Sequence, residues 1–139
     1  NHDCKIYYPL DVVVSKKLDG DGTIKEINDI NNDEMILDIG PKTITSIKNI
    51  VDGSNTVLWN GPAGYFENPN FANGTKEILE IITNKKSKDK IYTVAGGGET
   101  VAVINKFNKS DSFNFVSTAG GAFLEYLEGK ELPGIKALN

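Results

Sequence analysis

The spacing of apolar positions changes several times along the chain. Ile6 to Val14, IYYPLDVVV, is apolar and β-branched, which predicts strand, and Pro9 divides it into two pieces. LDGDG then turns the chain, and TIKEI is placed to pair back as a hairpin. Met35 to Ile39 predicts a short strand. Gly40-Pro41 follows, with Pro suited to a first helical turn, and Ile44, Ile47, Ile50 and Val51 recur at helical spacing. Asn55 to Trp59 predicts another strand, running into the Gly- and Pro-rich NGPAGYFE. Phe71 to Thr75 opens a helix with Ile78, Leu79, Ile81 and Ile82 on its buried side. NKKSKDK, Asn84 to Lys90, reads as a solvated connection. Ile91 to Val94 predicts a buried strand, and Thr100 to Ile104 the start of a packed helix ending near Lys106. Phe113 to Val116 predicts a last strand, which STAGG turns into a helix over Ala122 to Leu127, closed by Gly129. Pro133-Gly134 is expected to end regular structure.

Strands alternating with helices over short loops predict an α/β fold, a parallel sheet covered by helices, with an added β-hairpin near the start. Ligands of such sheets bind beyond the carboxyl ends of the strands. Three of these ends carry unusual loops, WNGPAGYFE, AGGGET and STAGGA, which are expected to lie side by side on one edge.

Composition narrows the class. The 139 residues amount to one domain, and 39% apolar residues with 14 glycines is ordinary for a globular chain. A net charge of −4 argues against nucleic acid, whose binders carry basic faces. All 15 basic residues are lysine, so the residue best suited to bidentate grip on carboxylate or phosphate is missing. Cys4 is the only cysteine, which excludes an internal disulfide and suggests a reducing, cytoplasmic setting. No leader and no apolar run long enough to span a bilayer is present, so no membrane role is expected. The first residue is Asn1, which reads as a processed or cut chain, and the single histidine, His2, lies at that end. Asn73-Gly74-Thr75 and Asn108-Lys109-Ser110 match the glycosylation pattern, which without a secretory signal carries little weight. An EF-hand reading of Asp19-Gly20-Asp21 fails, because Ile24 and Ile30 stand where the loop needs Gly and Glu.

The loops carry the candidate chemistry. Gly96-Gly97-Gly98 lets backbone approach a ligand, and the helix behind it offers unpaired N–H groups and a partial positive charge. STAGGA repeats the device with Ser117, Thr118, Gly120 and Gly121. Tight strand-to-helix packing is the alternative reading of either glycine run. Neither run is a P-loop or a dinucleotide fingerprint, which weakens a dehydrogenase-like reading. Glu99 sits directly after the glycines and would repel an anion there, unless a metal is present. Mg2+ is held by one or two carboxylates together with substrate phosphates, so Glu99 is a candidate metal ligand. Glu67, at the end of GYFE, is either a surface acid or an acceptor for a ribose's hydroxyls.

LDIGPKT, VLWNGPAGYFE, Gly74-Thr75, AGGGET, VSTAGGAFLEYLEGKELPGI and the earlier YPLDVVV resemble the phosphoglycerate kinase family, in that order and at fitting spacings over nearly all of the chain. The resemblance implies that residues 1–139 are the later portion of the C-terminal, nucleotide-binding domain. It implies an incomplete Rossmann-like domain of three α/β/α layers, with the N-terminal substrate domain absent. The family is a phosphotransferase of glycolysis. It moves a phosphoryl group reversibly between ATP with 3-phosphoglycerate and ADP with 1,3-bisphosphoglycerate, using Mg2+. The resemblance assigns Leu37 to the border of an adenosine pocket and Glu67 to the ribose. Asn60, Gly61 and Pro62 would line the nucleotide loop. Gly97, Gly98 and Thr100 would contact phosphates, Glu99 would face the metal, and Gly120 and Gly121 would offer amides to the transferring group.

Three positions depart from the family pattern. Glu99 stands where Asp is more usual, and its extra methylene moves the carboxylate outward, toward contact with Mg2+ through water. Ala119 replaces the first glycine of STGGGA, and Ile36 stands where a Gly is common, before Leu37. The family's arginine- and histidine-rich substrate patch and its phosphate-binding lysines belong to regions outside this stretch, so 3-phosphoglycerate would be bound mainly by the missing domain. The chain alone is therefore expected to be inactive. The parent enzyme is expected to be a monomer, and the isolated piece to self-associate or be marginally stable through an uncovered sheet edge. A non-catalytic nucleotide- or phosphate-binding module is the alternative.

Overall fold

The computed structural model describes residues 3–88 and 91–138. The chain divides into two compact units, Asn1–Gly53 with Ala63–Ile81, and Ser54–Pro62 with Ile82–Asn139. The fold is α/β, with a sheet in each unit.

In the first unit, β1 (Asp11–Ser15) lies between β2 (Thr23–Glu26) and β3 (Met35–Ile39), antiparallel to both. The expected hairpin is β1–β2, with Asp11 opposite Glu26 and Val14 opposite Thr23. The alternation of strands and helices predicts β3 as part of the parallel sheet; it pairs antiparallel with β1 instead. The register slips by one residue where Val13 faces Asp38 and Val14 faces Ile36, so Leu37 is the extra residue of a bulge. Leu37, Asp38 and Ile39 are consecutively buried there, in place of strict alternation. The apolar run from Ile6 predicts strand on both sides of Pro9, but no strand forms before Asp11 among the described residues.

α1 (Pro41–Asp52) starts with the expected Pro at its first turn. Its N-cap is Gly40, which has no side chain to cap with, and Asp11 supplies the acceptor from the neighbouring strand. Asp11 Oδ2 accepts the Lys42 N–H at 3.0 Å and Oδ1 accepts the Thr43 N–H at 2.8 Å. A side chain at position 40 would run into the Asp11 carboxylate, which accounts for the glycine. α2 (Asn73–Lys88) begins in the same way: Asp38 Oδ2 accepts the Gly74 N–H at 2.8 Å, and Oδ1 accepts that of Ile39 at 2.8 Å. The helix runs through residues 84–88, where the composition predicts a connection; lysine is a good helix former, so a lysine-rich run can continue a helix as well as leave it. Asp89 and Lys90, the last two residues of that stretch, lie outside the described residues.

The second unit holds the parallel sheet. β4 (Thr56–Asn60), β5 (Tyr92–Gly96) and β6 (Phe115–Val116) lie in the order β4-β5-β6, with Trp59 beside Ala95 and Ala95 beside Val116. α3 (Gly98–Lys106) follows β5, and α4 (Gly121–Leu127) follows β6. Val103 and Ile104 of α3 and Ala95 of β5 are fully buried, each such aliphatic side chain of valine or isoleucine stabilising by about 1.5–3 kcal/mol. The chain leaves α3 through Asn108, whose positive φ of 53° suits one of the few residues other than glycine that tolerate it. Pro133 does not end regular structure as expected: it opens a further short helix, α5 (Pro133–Lys136), with the ring at a first-turn position. No described helix is long and apolar enough to cross a membrane.

Candidate functional site: glycine-fronted helix ends at one sheet edge

Because β4, β5 and β6 are parallel neighbours, the chain leaves all three at the same edge, as the loop pattern predicts. The loops begin at Gly61, Gly97 and Ser117.

The glycines there are not equivalent. A Cβ at Gly96 would lie 2.9 Å from Cδ1 of Phe123, so this glycine admits the α4 ring against the end of β5. Gly97 is the N-cap of α3 at φ 88° and ψ 138°, a backbone that side chains rarely adopt, and a Cβ there would meet Asn60 Oδ1 at 2.9 Å. Packing therefore explains Gly96, and backbone conformation with packing explains Gly97. Neither applies to Gly98, where a Cβ would find nothing within 4 Å. In the STAGGA loop, Gly120 has φ 55° and serves as N-cap of α4, and both Gly120 and Gly121 face open space. Strand-to-helix packing thus accounts for part of the first glycine run and none of the second.

Neither α3 nor α4 has a side-chain cap. The first amides of a helix lack intrahelical partners, so these ends offer donors and a partial positive charge. Glu99 is exposed in the first turn of α3. Among the described residues no three His, Cys, Asp or Glu side chains are grouped to hold a metal. One carboxylate beside open amides matches the way Mg2+ is shared between a protein acid and a ligand's phosphates.

Thr100 is fully buried, and its hydroxyl oxygen accepts the Gly61 N–H at 2.6 Å. Its side chain ties the β4 loop to the first turn of α3. Asn60, Gly61, Gly97 and Thr100 are thus one cluster, with Pro62 next to it in sequence. Ser117 is buried, and its Oγ accepts the Ala119 N–H at 3.3 Å, tightening the turn before Gly120.

Leu37 and Glu67 belong to the other unit. Leu37 is buried, and its carbonyl accepts the Tyr65 N–H at 2.8 Å. Glu67 is exposed in the turn that follows. That turn is anchored by Asn68, whose Nδ2 donates to the Leu18 carbonyl at 2.7 Å, and by Asn70, whose Nδ2 donates to that of Gly20 at 3.2 Å. Ala63 N–H donates to Thr75 Oγ1 at 3.1 Å, and Thr75 is fully buried.

Sequence reasoning passed over the two buried acids and a recurring threonine. Asp11 and Asp38 are each 1% exposed. Burial pushes the Asp11 carboxyl up, but the Lys42 and Thr43 amides, the Thr43 hydroxyl and the Lys42 charge outweigh it and hold the group below 3.8. For Asp38 burial wins over its backbone donors from Gly74, Ile39 and Asn73, and the carboxyl is raised above 3.8. Thr43, Thr75 and Thr100 are each the third residue of α1, α2 and α3, and each hydroxyl accepts a backbone N–H from a loop. The signal was an acid inside each apolar strand run and a Thr two residues after Pro41, Asn73 and Gly98.

The phosphoglycerate kinase family model matches residues 1–130. The chain belongs to the phosphoglycerate kinase family. It is 48% identical to the phosphoglycerate kinase of Francisella philomiragia over 132 residues, 94% of this chain and 33% of that protein. Against the phosphoglycerate kinase of Zymomonas mobilis identity is 46% over 137 residues, 97% of this chain and 34% of the relative. The structure of phosphoglycerate kinase from Coxiella burnetii is similar with a TM-score of 0.83 and 42% identity, over 94% of this chain and 33% of that one. That of Pyrococcus horikoshii has a TM-score of 0.78 at 31% identity, over 94% and 31%. The chain therefore spans about a third of the length of the phosphoglycerate kinases it matches.

Proposed function

We propose that this chain is the later portion of the nucleotide-binding domain of a phosphoglycerate kinase. The parent enzyme moves a phosphoryl group reversibly between ATP with 3-phosphoglycerate and ADP with 1,3-bisphosphoglycerate. The observation that carries the reading is the empty space in front of Gly98 and Gly121, neither of which has a positive φ, at adjacent ends of a parallel sheet. Glycine is used there without a packing reason, beside amides that have no side-chain cap.

In this reading Gly97, Gly98 and Thr100 present backbone N–H groups to nucleotide phosphates, with Gly97 setting the turn. Asn60, Gly61 and Pro62 form the nucleotide loop, and the Thr100 hydroxyl fixes that loop. Gly120 and Gly121 direct amides at the group in transfer. Leu37 borders the adenosine and Glu67 accepts from the ribose. Glu99 is the residue to hold Mg2+, which when bound neutralises phosphate charge. Phosphoryl transfer depends on cations and donors around the moving group. The family's arginine-rich substrate patch and phosphate-binding lysines lie outside this stretch, so in this reading the piece by itself is inactive and 3-phosphoglycerate is held elsewhere in the parent; the lack of any arginine here fits that. The exposed apolar side chains Ile6, Tyr8 and Leu138, with a β4 edge of five uncharged residues, support self-association of the isolated piece. Sedimentation velocity giving only monomer at high concentration would count against that part.

Isothermal titration of the 139-residue chain with MgADP tests the nucleotide reading. Saturable binding that needs Mg2+ and weakens in Glu99→Ala and in Glu67→Ala is expected. Binding indifferent to both substitutions would defeat the assignment of these residues. A coupled assay with 3-phosphoglycerate and ATP is expected to show no turnover.

A further inference from the structure

Asn-Gly steps are the most easily deamidated in proteins, because the following residue has no side chain to hinder attack by its nitrogen. The described residues include two such steps, Asn60-Gly61 and Asn73-Gly74. In each the glycine N–H is already donated to a buried side-chain oxygen. Gly61 donates to Thr100 Oγ1 at 2.6 Å, and Gly74 donates to Asp38 Oδ2 at 2.8 Å. The two steps differ in setting. Gly74 is buried within the first turn of α2, whereas Asn60 is exposed at the end of β4 and Gly61 is partly exposed. Gly61 has φ 111°, and its side of the backbone opens on free space, so the hydrogen bond to Thr100 is the contact recorded at its nitrogen.

We propose that Asn60 is a latent deamidation site, kept closed by the single hydrogen bond from Gly61 to Thr100. In the reaction the Gly61 nitrogen loses its proton to solvent base and forms a bond to Asn60 Cγ. The Cγ–Nδ2 bond breaks, and the nitrogen leaves as ammonia after taking up a proton. Water then opens the five-membered imide to aspartate or isoaspartate. The first event requires the N–H to be free, and the Thr100 oxygen holds it. The product places a carboxylate beside Gly97, and as isoaspartate it also lengthens the backbone where the β4 loop begins. The chemistry is independent of what the loop binds.

The test follows deamidation by peptide mapping in the 139-residue chain at mildly alkaline pH, with Asn73 as internal reference. Thr100→Val is expected to speed conversion at Asn60 on the order of tenfold, the scale on which one hydrogen bond shifts a local opening. Asn73 is expected to keep its rate, and Thr100→Ser, which retains the hydroxyl, is expected to behave as the parent chain. Equal acceleration at both asparagines would point to general unfolding and overturn the proposal. So would an unsubstituted chain in which Asn60 converts as fast in buffer as in concentrated urea, a comparison that requires no variant to fold.

Discussion

The four longest helices among the described residues begin in two different ways and fall into two pairs. α1 and α2 receive a carboxylate from a neighbouring strand, Asp11 and Asp38, which occupies the amides of their first turns. α3 and α4 begin at Gly97 and Gly120, with no side-chain cap and with open space at Gly98, Gly120 and Gly121. The polar requirement is the same in all four. In one pair the protein meets it internally, and the helix end becomes a structural joint. In the other pair the donors are left to something outside the chain. Removing a group from the first pair should therefore cost stability, whereas adding one to the second should cost binding.

Asp11→Ala carries the largest expected effect. It strands the buried Thr43 N–H and the part-buried Lys42 N–H, and a loss of about 3 kcal/mol is expected from urea unfolding. An Asp11→Ala chain as stable as the original would dissolve the distinction between the pairs. Gly97→Ala comes next. A side chain at φ 88° costs about 1–2 kcal/mol, and the Asn60 contact adds to it, so stability and MgADP binding should fall together. Gly98→Ala separates the two quantities. It puts a methyl into open space at the first position of a helix, where Ala is favoured over Gly by up to about 1 kcal/mol. The melting temperature should hold or rise slightly while MgADP binding, measured by titration calorimetry, weakens. Unchanged binding would make Gly98 a mere connector.

The smallest effect sharpens the contrast between the two acids. The Asp11 carboxyl is depressed in the folded chain, so its contribution is fully present above 3.8 and is lost as pH falls through the lower folded value. The Asp38 carboxyl is raised, so the folded chain keeps its proton longer than the unfolded one. Its contribution is greatest below 3.8 and declines as pH rises through the higher folded value. Urea midpoints measured across this range should therefore lose their acid limb in Asp11→Asn. In Asp38→Asn the decline above 3.8 should disappear instead. Parallel curves for the two variants would show that burial does not govern Asp38.

Much of this arrangement was legible in the residues. The β1–β2 hairpin, β3 to β6, the helices after Gly40 and Gly96, and the shared edge of the three loops follow from period and punctuation. What escaped was long-range. Nothing local in DVVVS says that Asp11 will face α1, because the pairing of β1 with β3 brings it there. The antiparallel pairing of β3 was equally hidden, since a short apolar run is compatible with either direction. The helix through residues 84–88 defeated a composition argument, because a lysine-rich run suits a solvated linker and a helix equally well. Among the candidate residues, the glycines were found by pattern, but only the surroundings separated Gly96, which makes room for Phe123, from Gly98, which makes room for nothing in the chain. At Thr100 the pattern gave no hint that the side chain also holds the loop beside it.

Trp59, next to the Asn60 loop, is 6% exposed, lies over the Phe113 ring with centroids 6.3 Å apart, and finds no acceptor for its Nε1–H among the described residues. It is the chain's only indole. An indole in so dry a setting emits at short wavelength and shifts to the red when water reaches it. The chain thus carries its own optical gauge at the end of β4, and one unlabelled sample reports both the opening of that strand and the unfolding of the unit around it.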